Sequence, residues 1–395
     1  MPSTVSCAPN SPGSTSSPQS KDAAASSQKR SAPGLPATMR SLVKARAAVG
    51  LDLVKDRPLP ASTSAPSNPR GEPGPGEVLI RIKKTGVCGT DRHIWEWDAW
   101  ASSRIPVGIV TGHEFVGHVE RVGLGVTKCK PGDRVSGEGH ITAGNDYLSR
   151  TGNAHIASDT RIIGVDRDGC FAEFLMLPES NVWPMHPAIP DKFAAIMDPL
   201  GNAVHTVMSA GVSTRSVLIT GVGIIGLMAV TVARAAGAAR IYATDTNPRR
   251  LALAKKLGAA QVFDARTDSN WVDAVRTECR GDGVDVLLEM SGSPAATNDG
   301  FKALRNGGTA ALLGIPSQPF PFDLTNHVVF KGATVLGING RRMWETWYQM
   351  ENLLVSGRLE LDEIVTHELP FERFAEAFSL MQSGEGIKIV LDWGA

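Results

Sequence analysis

Residues 217–226 read Val-Leu-Ile-Thr-Gly-Val-Gly-Ile-Ile-Gly, and this short run constrains the fold more than any other. An apolar β-type segment meets a G-x-G-x-x-G turn, and Leu-Met-Ala-Val-Thr-Val-Ala-Arg-Ala-Ala-Gly-Ala follows with helical composition. Strand, glycine turn, helix is the opening of a βαβ unit that cradles a dinucleotide. Gly221 permits the tight turn, Gly223 lets a pyrophosphate approach the backbone, and Gly226 allows close helix–strand packing. The helix N-terminus then faces the negative charge. Asp245 ends the next apolar run, Ile-Tyr-Ala-Thr-Asp, and is expected to accept hydrogen bonds from the adenosine ribose. A carboxylate there repels a 2′-phosphate, which favours NAD over NADP. Arg249 and Arg250 follow closely and would suit that phosphate, so NADP stays open as the alternative.

The alternation continues downstream. Arg249–Ala259 reads as a helix, and 284–290 and 309–315 read as two more strands, so 198–340 is expected to form a doubly wound parallel sheet. Between about 77 and 185 the pattern differs: Glu-Val-Leu-Ile-Arg-Ile, Glu-Phe-Val-Gly-His-Val-Glu-Arg-Val, Asp-Arg-Val-Ser-Gly and Phe-Ala-Glu-Phe-Leu-Met-Leu are short β-type runs with turn punctuation. Helices are expected near Trp344–Gly357 and Phe371–Gly384, with a final strand Ile-Lys-Ile-Val-Leu-Asp. The fold class is therefore α/β: a discontinuous β-barrel-like domain, 39–197 and 341–395, with a doubly wound domain, 198–340, inserted. At 395 residues the chain exceeds one ordinary core, in keeping with two domains. Residues 1–38 are Ser, Pro and Ala with few large apolar side chains, and are expected to be a disordered tail. Their Lys21, Lys29 and Arg30 faintly echo a transit peptide; the plainer alternatives are a tail or a start at Met39. A second flexible insert is expected over 60–76.

Charge and cysteine usage remove several classes. Lys+Arg and Asp+Glu balance at 40 each, so nothing electrostatic argues for nucleic acid or an anionic membrane. No apolar run approaches the ~18 residues a membrane helix needs. The five cysteines are scattered and odd in number, which suits the reducing cytoplasm rather than a disulfide framework.

Chemistry concentrates in Thr-Gly-Val-Cys-Gly-Thr-Asp-Arg-His (85–93) and Gly112-His113-Glu114. Cys88, His113 and Glu114 offer a thiolate, an imidazole and a carboxylate, a set that suits zinc with one position left open. Glu114 beside the ligands rather than among them is the alternative. A nicotinamide cofactor beside such a metal implies hydride transfer from a zinc-bound alkoxide. The lost proton needs a way out, for which Thr90 and His93 are placed. Asp91 reads as a turn or supporting carboxylate, and Asp198, in Met-Asp-Pro-Leu-Gly-Asn-Ala-Val-His-Thr, as an acid able to reach the metal region.

These residues resemble the zinc-dependent medium-chain alcohol dehydrogenase superfamily from about Met39 onward. The most specific stretches are Lys-Thr-Gly-Val-Cys-Gly-Thr-Asp-Arg-His-Ile-Trp-Glu-Trp-Asp-Ala-Trp, Gly-Asp-Arg-Val-Ser-Gly-Glu-Gly-His-Ile-Thr and Gly-Arg-Arg-Met-Trp-Glu-Thr-Trp-Tyr. The resemblance implies a GroES-like β-barrel catalytic domain plus a Rossmann domain, with the site in the cleft between. It narrows to the branch that oxidises the C3 hydroxyl of L-threonine to L-2-amino-3-oxobutanoate with NAD, as a homotetramer. Carried over by position, it implies Cys88, His113 and Glu114 as zinc ligands, Thr90 and His93 as the relay pair, and Asp198 as an acid supporting proton relay without binding zinc. For NAD it implies Ile225, Asp245, Arg250, Leu313, Gly314, Ile315, Ile338 and Asn339, although Asn339 stands where relatives carry an aromatic residue. One departure is large. The lobe after Gly-Glu-Gly-His-Ile-Thr usually holds a structural zinc on four cysteines, and the matching positions here are Ala143, Asp146, Ser149 and Ala157. One catalytic zinc per subunit is therefore expected, with Asp146, His155 and Asp159 as solvated loop polars.

Threonine needs partners for its carboxylate and its ammonium. Arg341 or Arg342 suits the first, Glu345 or Asp198 the second, unless these charges are plain solvated faces. Two rival readings stay open. A polyol or 2,3-butanediol dehydrogenase would share the same motifs, and a regulatory or structural protein that has lost catalysis would bind NAD without zinc and without turnover, a reading that intact Cys88, Thr90, His93, His113 and Glu114 argue against.

Overall fold

The computed structural model describes residues 34–394, so the tail expected over 1–38 lies mostly outside the described residues. Residues 34–36 form no helix or strand, and the first strand begins at Thr38. It pairs antiparallel with Asp52–Pro58.

The barrel-like part is a seven-stranded sheet. Its order is Val365–Pro370, Lys388–Asp392, Glu77–Val87, Glu114–Val122, Arg134–Gly137, Val182–Pro184, with Phe174–Pro178 also on Glu77–Val87. Glu77–Val87 and Glu114–Val122 form its centre because their Val, Ile and Phe side chains suit a pleated, buried surface. Their register sets Gly86 opposite Glu114. The last strand returns from the far end of the chain and pairs antiparallel at Val87, so Ile389 lies opposite Val87. This return makes the domain discontinuous.

The stretch 60–76, expected to be a flexible insert, is instead tied down. The Glu77 carboxylate, 3% exposed, accepts from Ser62 Oγ at 2.5 Å, Thr63 N at 2.8 Å, Thr63 Oγ1 at 2.5 Å and Gly74 N at 3.0 Å. These bonds hold its carboxyl down at about 2 despite burial. Low apolar content does not free a loop when one buried anion gathers its donors.

The second part is a six-stranded parallel sheet, ordered Gln261–Asp264, Arg240–Asp245, Ser216–Thr220, Val284–Glu289, Leu304–Leu312, Thr334–Gly337. In chain order that is 3-2-1-4-5-6, the doubly wound arrangement expected from the alternating grammar. Helices Trp271–Glu278 and Pro294–Ala303 have no counterpart in the sequence reading. Asn, Asp, Thr and Gly interrupt their apolar periodicity, and packing on the sheet rather than propensity holds them. Met197–Ala210 joins the two parts: nine of its residues are buried, Gly211 ends it at φ 66°, and Asp198 lies in its first turn. Among the described residues no helix is long and apolar enough to cross a membrane.

Candidate active site

Strand Glu77–Val87 runs straight into helix Gly89–Glu96, and Cys88 is the cap between them. Its Sγ accepts from Thr90 N at 3.3 Å, while Asp91 Oδ2 reaches back to accept from Cys88 N at 3.0 Å. A thiol thus replaces the usual Ser or Thr in a reciprocal capping box, which fixes where the sulfur points. Gly112, at φ +87°, turns the chain onto the facing strand; a Cβ there would lie 2.3 Å from the Phe171 ring. The turn brings His113 Nε2 to 3.1 Å from Cys88 Sγ. Behind it, Asp91 Oδ1 stands 3.8 Å from His113 Nδ1, and neither atom has a hydrogen-bond partner.

Glu114 is buried, and its carboxylate fits only because Gly86 lacks a Cβ, which would sit 2.0 Å from Oε2. Lys388 Nζ, fully buried, donates to Glu114 Oε1 at 2.7 Å and to Val87 O at 2.9 Å. Ligand atoms of Cys88, Asp91 and His113 lie within 4.8 Å of one another, as do those of His113, Glu114 and Asp198. His113 is common to both groups. Buried polar atoms without partners carry a desolvation cost that a cation would relieve. A thiolate, an imidazole and carboxylates fit zinc.

Asp198 arrives from the crossover helix and meets Arg341 Nη1 at 2.6 Å. The same guanidinium donates to Glu138 through Nε at 2.9 Å and through Nη2. Glu138, fully buried, also accepts from Trp347 Nε1 at 3.0 Å, His140 N at 3.0 Å and His140 Nδ1 at 2.8 Å. Burial alone would raise its carboxyl, but Arg341 and His140 hold it well below the usual range. Gly201 makes room for this chain, since a Cβ there would lie 2.4 Å from Arg341 Cγ and Cδ. The expectation that Arg341 meets a substrate carboxylate is therefore corrected: its donors are committed to two protein carboxylates. Arg342 is exposed and pairs with Glu345 at 3.3 Å.

Thr90 is half-buried in the first turn of Gly89–Glu96, and His93 lies one turn on, with 56% of its side chain exposed. Its Nδ1 is 2.5 Å from Asp98 Oδ2.

At the carboxyl ends of the parallel strands the three glycines differ. Gly221, φ +84°, packs on Ser291, which a Cβ would approach to 2.6 Å. A Cβ on Gly226 would lie 2.1 Å from Gly221 O, and one on Gly223 would meet nothing within 4 Å. Asp245 Oδ2 accepts from Val222 N at 2.8 Å, inside the turn, and Oδ1 from Thr246 N and Asn247 N, both at 2.8 Å. Arg250 is half-buried and its N–H reaches Asn247 Oδ1. Ile225 lies in the first turn of the following helix. Leu313 and Gly314 donate to Glu289 O, Ile338 donates to Leu312 O, and Asn339 follows, so these residues line the ends of adjacent strands. Ile315 is 90% exposed. Such strand ends are where ligands sit in doubly wound sheets.

The lobe after Ile141 is held by polar side chains. Asp159 accepts from Thr142 Oγ1 at 2.6 Å and Ala143 N at 2.9 Å, and Asp146 caps Tyr147–Arg150 by accepting from Ser149 N at 2.8 Å. Ala157 is buried. His155 corrects the expectation of a solvated polar: it is 7% exposed, packs edge-on to His205 at 5.4 Å, and burial pushes its imidazole down to about 4.

Sequence reasoning did not find Glu138, Lys388 or Asp98. A lysine inside the apolar run Ile387–Leu391 was the available signal for Lys388, because an inward charge in a central strand needs a partner.

The chain matches two family models, "Alcohol dehydrogenase GroES-like domain" over residues 74–188 and "Zinc-binding dehydrogenase" over 225–356. It is 45% identical to an L-threonine 3-dehydrogenase of Rhizobium etli and 46% identical to one of Chelativorans sp., each over 90% of this chain and 99% of the relative. Among solved structures it is similar to an alcohol dehydrogenase from Thermus sp. ATN1, with TM-score 0.77 and 30% identity over 90% of this chain and 99% of that one. The chain belongs to the zinc-dependent medium-chain alcohol dehydrogenases, in the L-threonine 3-dehydrogenase family.

Proposed function

We propose that the chain oxidises the C3 hydroxyl of L-threonine to L-2-amino-3-oxobutanoate and passes the hydride to NAD. The observation that carries the reading is the convergence on buried His113 of two donor groups, one with partly buried Cys88 and buried Asp91, the other with buried Glu114 and partly buried Asp198. The likeness to full-length L-threonine 3-dehydrogenases supports the substrate. Residues 39–197 with 341–395 are read as the catalytic domain and 198–340 as the cofactor domain.

Cys88, His113 and Glu114 would hold zinc, which when bound supplies Lewis acidity toward the substrate hydroxyl. Asp91 lies 3.8 Å behind His113, and Lys388 shares the charge of Glu114. Arg341 holds Asp198 through a 2.6 Å ion pair, and Asp198 is read as an acid supporting the proton relay rather than as a zinc ligand. Thr90 and His93 lead the proton to solvent. Gly223 leaves space for the pyrophosphate, and Asp245 repels a 2′-phosphate, which favours NAD. One zinc per subunit belongs to the same proposal, supported by the polar bonding of the lobe at Asp146 and Asp159. So do the tetramer that the resemblance implies and the cytoplasmic location that the cysteine usage suggests.

NADH formation with L-threonine, sorbitol and 2,3-butanediol, with and without a chelator, tests the reading. Threonine should be the best reductant, NAD should surpass NADP, and the chelator should abolish turnover. No turnover with threonine defeats the substrate assignment, and two tightly held zincs per chain defeat the metal count.

A further inference from the structure

His93 does not stand alone at the surface. Its ring is bracketed by the short helix Ala99–Arg104: Asp98, the cap of that helix, puts Oδ2 2.5 Å from Nδ1, and Trp100 packs edge-on at 6.0 Å. Asp98 is itself fixed, because its Oδ1 accepts from Ala101 N at 2.9 Å. The other charges near the ring are already paired. Arg92 Nε holds Glu96 Oε1 at 2.8 Å, and Gln382 donates to the same oxygen at 3.1 Å. Asp98 is thus the carboxylate that addresses the imidazole directly. The amide of Ala101, followed by His93, keeps its carboxyl below the ordinary value, so at neutral pH it has acceptor capacity only.

We infer that Asp98 is a positioning residue of the proton exit: it accepts the Nδ1–H of His93 and so fixes the tautomer whose Nε2 lone pair is free to take a proton. This rests on the reading of His93 as the relay group. The proton lost from the substrate hydroxyl is accepted at Nε2, the resulting imidazolium is stabilised by the adjacent carboxylate, and a proton then passes to bulk water from the half-exposed ring. A carboxylate that sets the tautomer of a catalytic imidazole through Nδ1 is a recurrent arrangement, and an amide in its place imposes the wrong tautomer.

The test uses the zinc-loaded, full-length protein. Asp98→Asn keeps the helix cap, since Asn caps as well as Asp, yet presents an N–H to the ring. Asp98→Ser keeps a cap and removes the contact. Both are expected to lower kcat about tenfold with KM for threonine within about twofold, and added imidazole buffer should restore turnover by carrying the proton. A plainly structural residue would not respond to buffer. His93→Asn is measured alongside. If it loses kcat while both Asp98 variants keep theirs, or if their loss ignores imidazole, the role of Asp98 is overturned. Should His93→Asn itself keep full kcat, the relay reading fails first and this inference with it.

Discussion

Lys388 Nζ lies 2.7 Å from Glu114 Oε1, across 274 positions of sequence, and both side chains are completely buried. A carboxylate offered to a metal is thereby shared with an ammonium from the return strand. Breaking such a pair strands one charge in a low dielectric, at a cost of about 3–5 kcal/mol. Lys388→Met should lower the unfolding free energy by that order and weaken zinc retention on dialysis. A loss below about 1 kcal/mol with zinc fully retained would show that the pair is dispensable.

The glycine turn gives a sharper contrast. Gly226→Ala forces a Cβ to within 2.1 Å of Gly221 O, whereas Gly223→Ala meets nothing. The first should destabilise the fold by about 1–3 kcal/mol. The second should leave the melting temperature unchanged and raise the NAD dissociation constant at least about tenfold, read by calorimetric titration. Equal effects on both quantities would contradict this division.

Acid should release the loop 60–76. The Glu77 carboxyl is held at about 2, against 4.5 as the ordinary value. A depressed folded value means that the unfolded chain takes up the proton first. The stabilisation is therefore complete above about pH 5 and fades as pH falls from there toward 2. It is of order 2–3 kcal/mol. Denaturant titrations at pH 3 and pH 6 should differ by about that amount more in the wild type than in Glu77→Gln, and parallel curves would sink the assignment.

Glu138→Gln removes the anion that pins Arg341, leaving Asp198 as the main counter-charge of that guanidinium. We expect kcat to fall about tenfold or more, with zinc content intact and NAD affinity unchanged, because the change acts through Arg341 on Asp198. A variant with full kcat would show that the orientation of Asp198 is set elsewhere.

Much of this was legible in sequence because local grammar wrote it. The glycine turn, Asp245 and the strand–helix alternation are short-range patterns, and the resulting sheet order needed only the right-handed crossover rule. Cys88, His113 and Glu114 stood out through their residue types. The electrostatic support around them did not. Glu138, Arg341 and Trp347 are drawn together by long-range topology, and a buried arginine looks like a surface arginine when read one residue at a time. Arg341 was accordingly given to the substrate, and His155 to the solvent.

Four positions in this network are bound to one another in a way that bears on sequence drift. The Arg341 side chain passes through the space where a Cβ of residue 201 would be, and its head joins Glu138 to Asp198. Replacing Gly201 displaces the arginine, and losing the arginine deprives both carboxylates of the cation they share. Single steps at any of these positions are therefore penalised even where a double or triple replacement would be tolerated. The four should change together or not at all, and a combinatorial library at 138, 198, 201 and 341 would find its active members in correlated sets rather than scattered single substitutions.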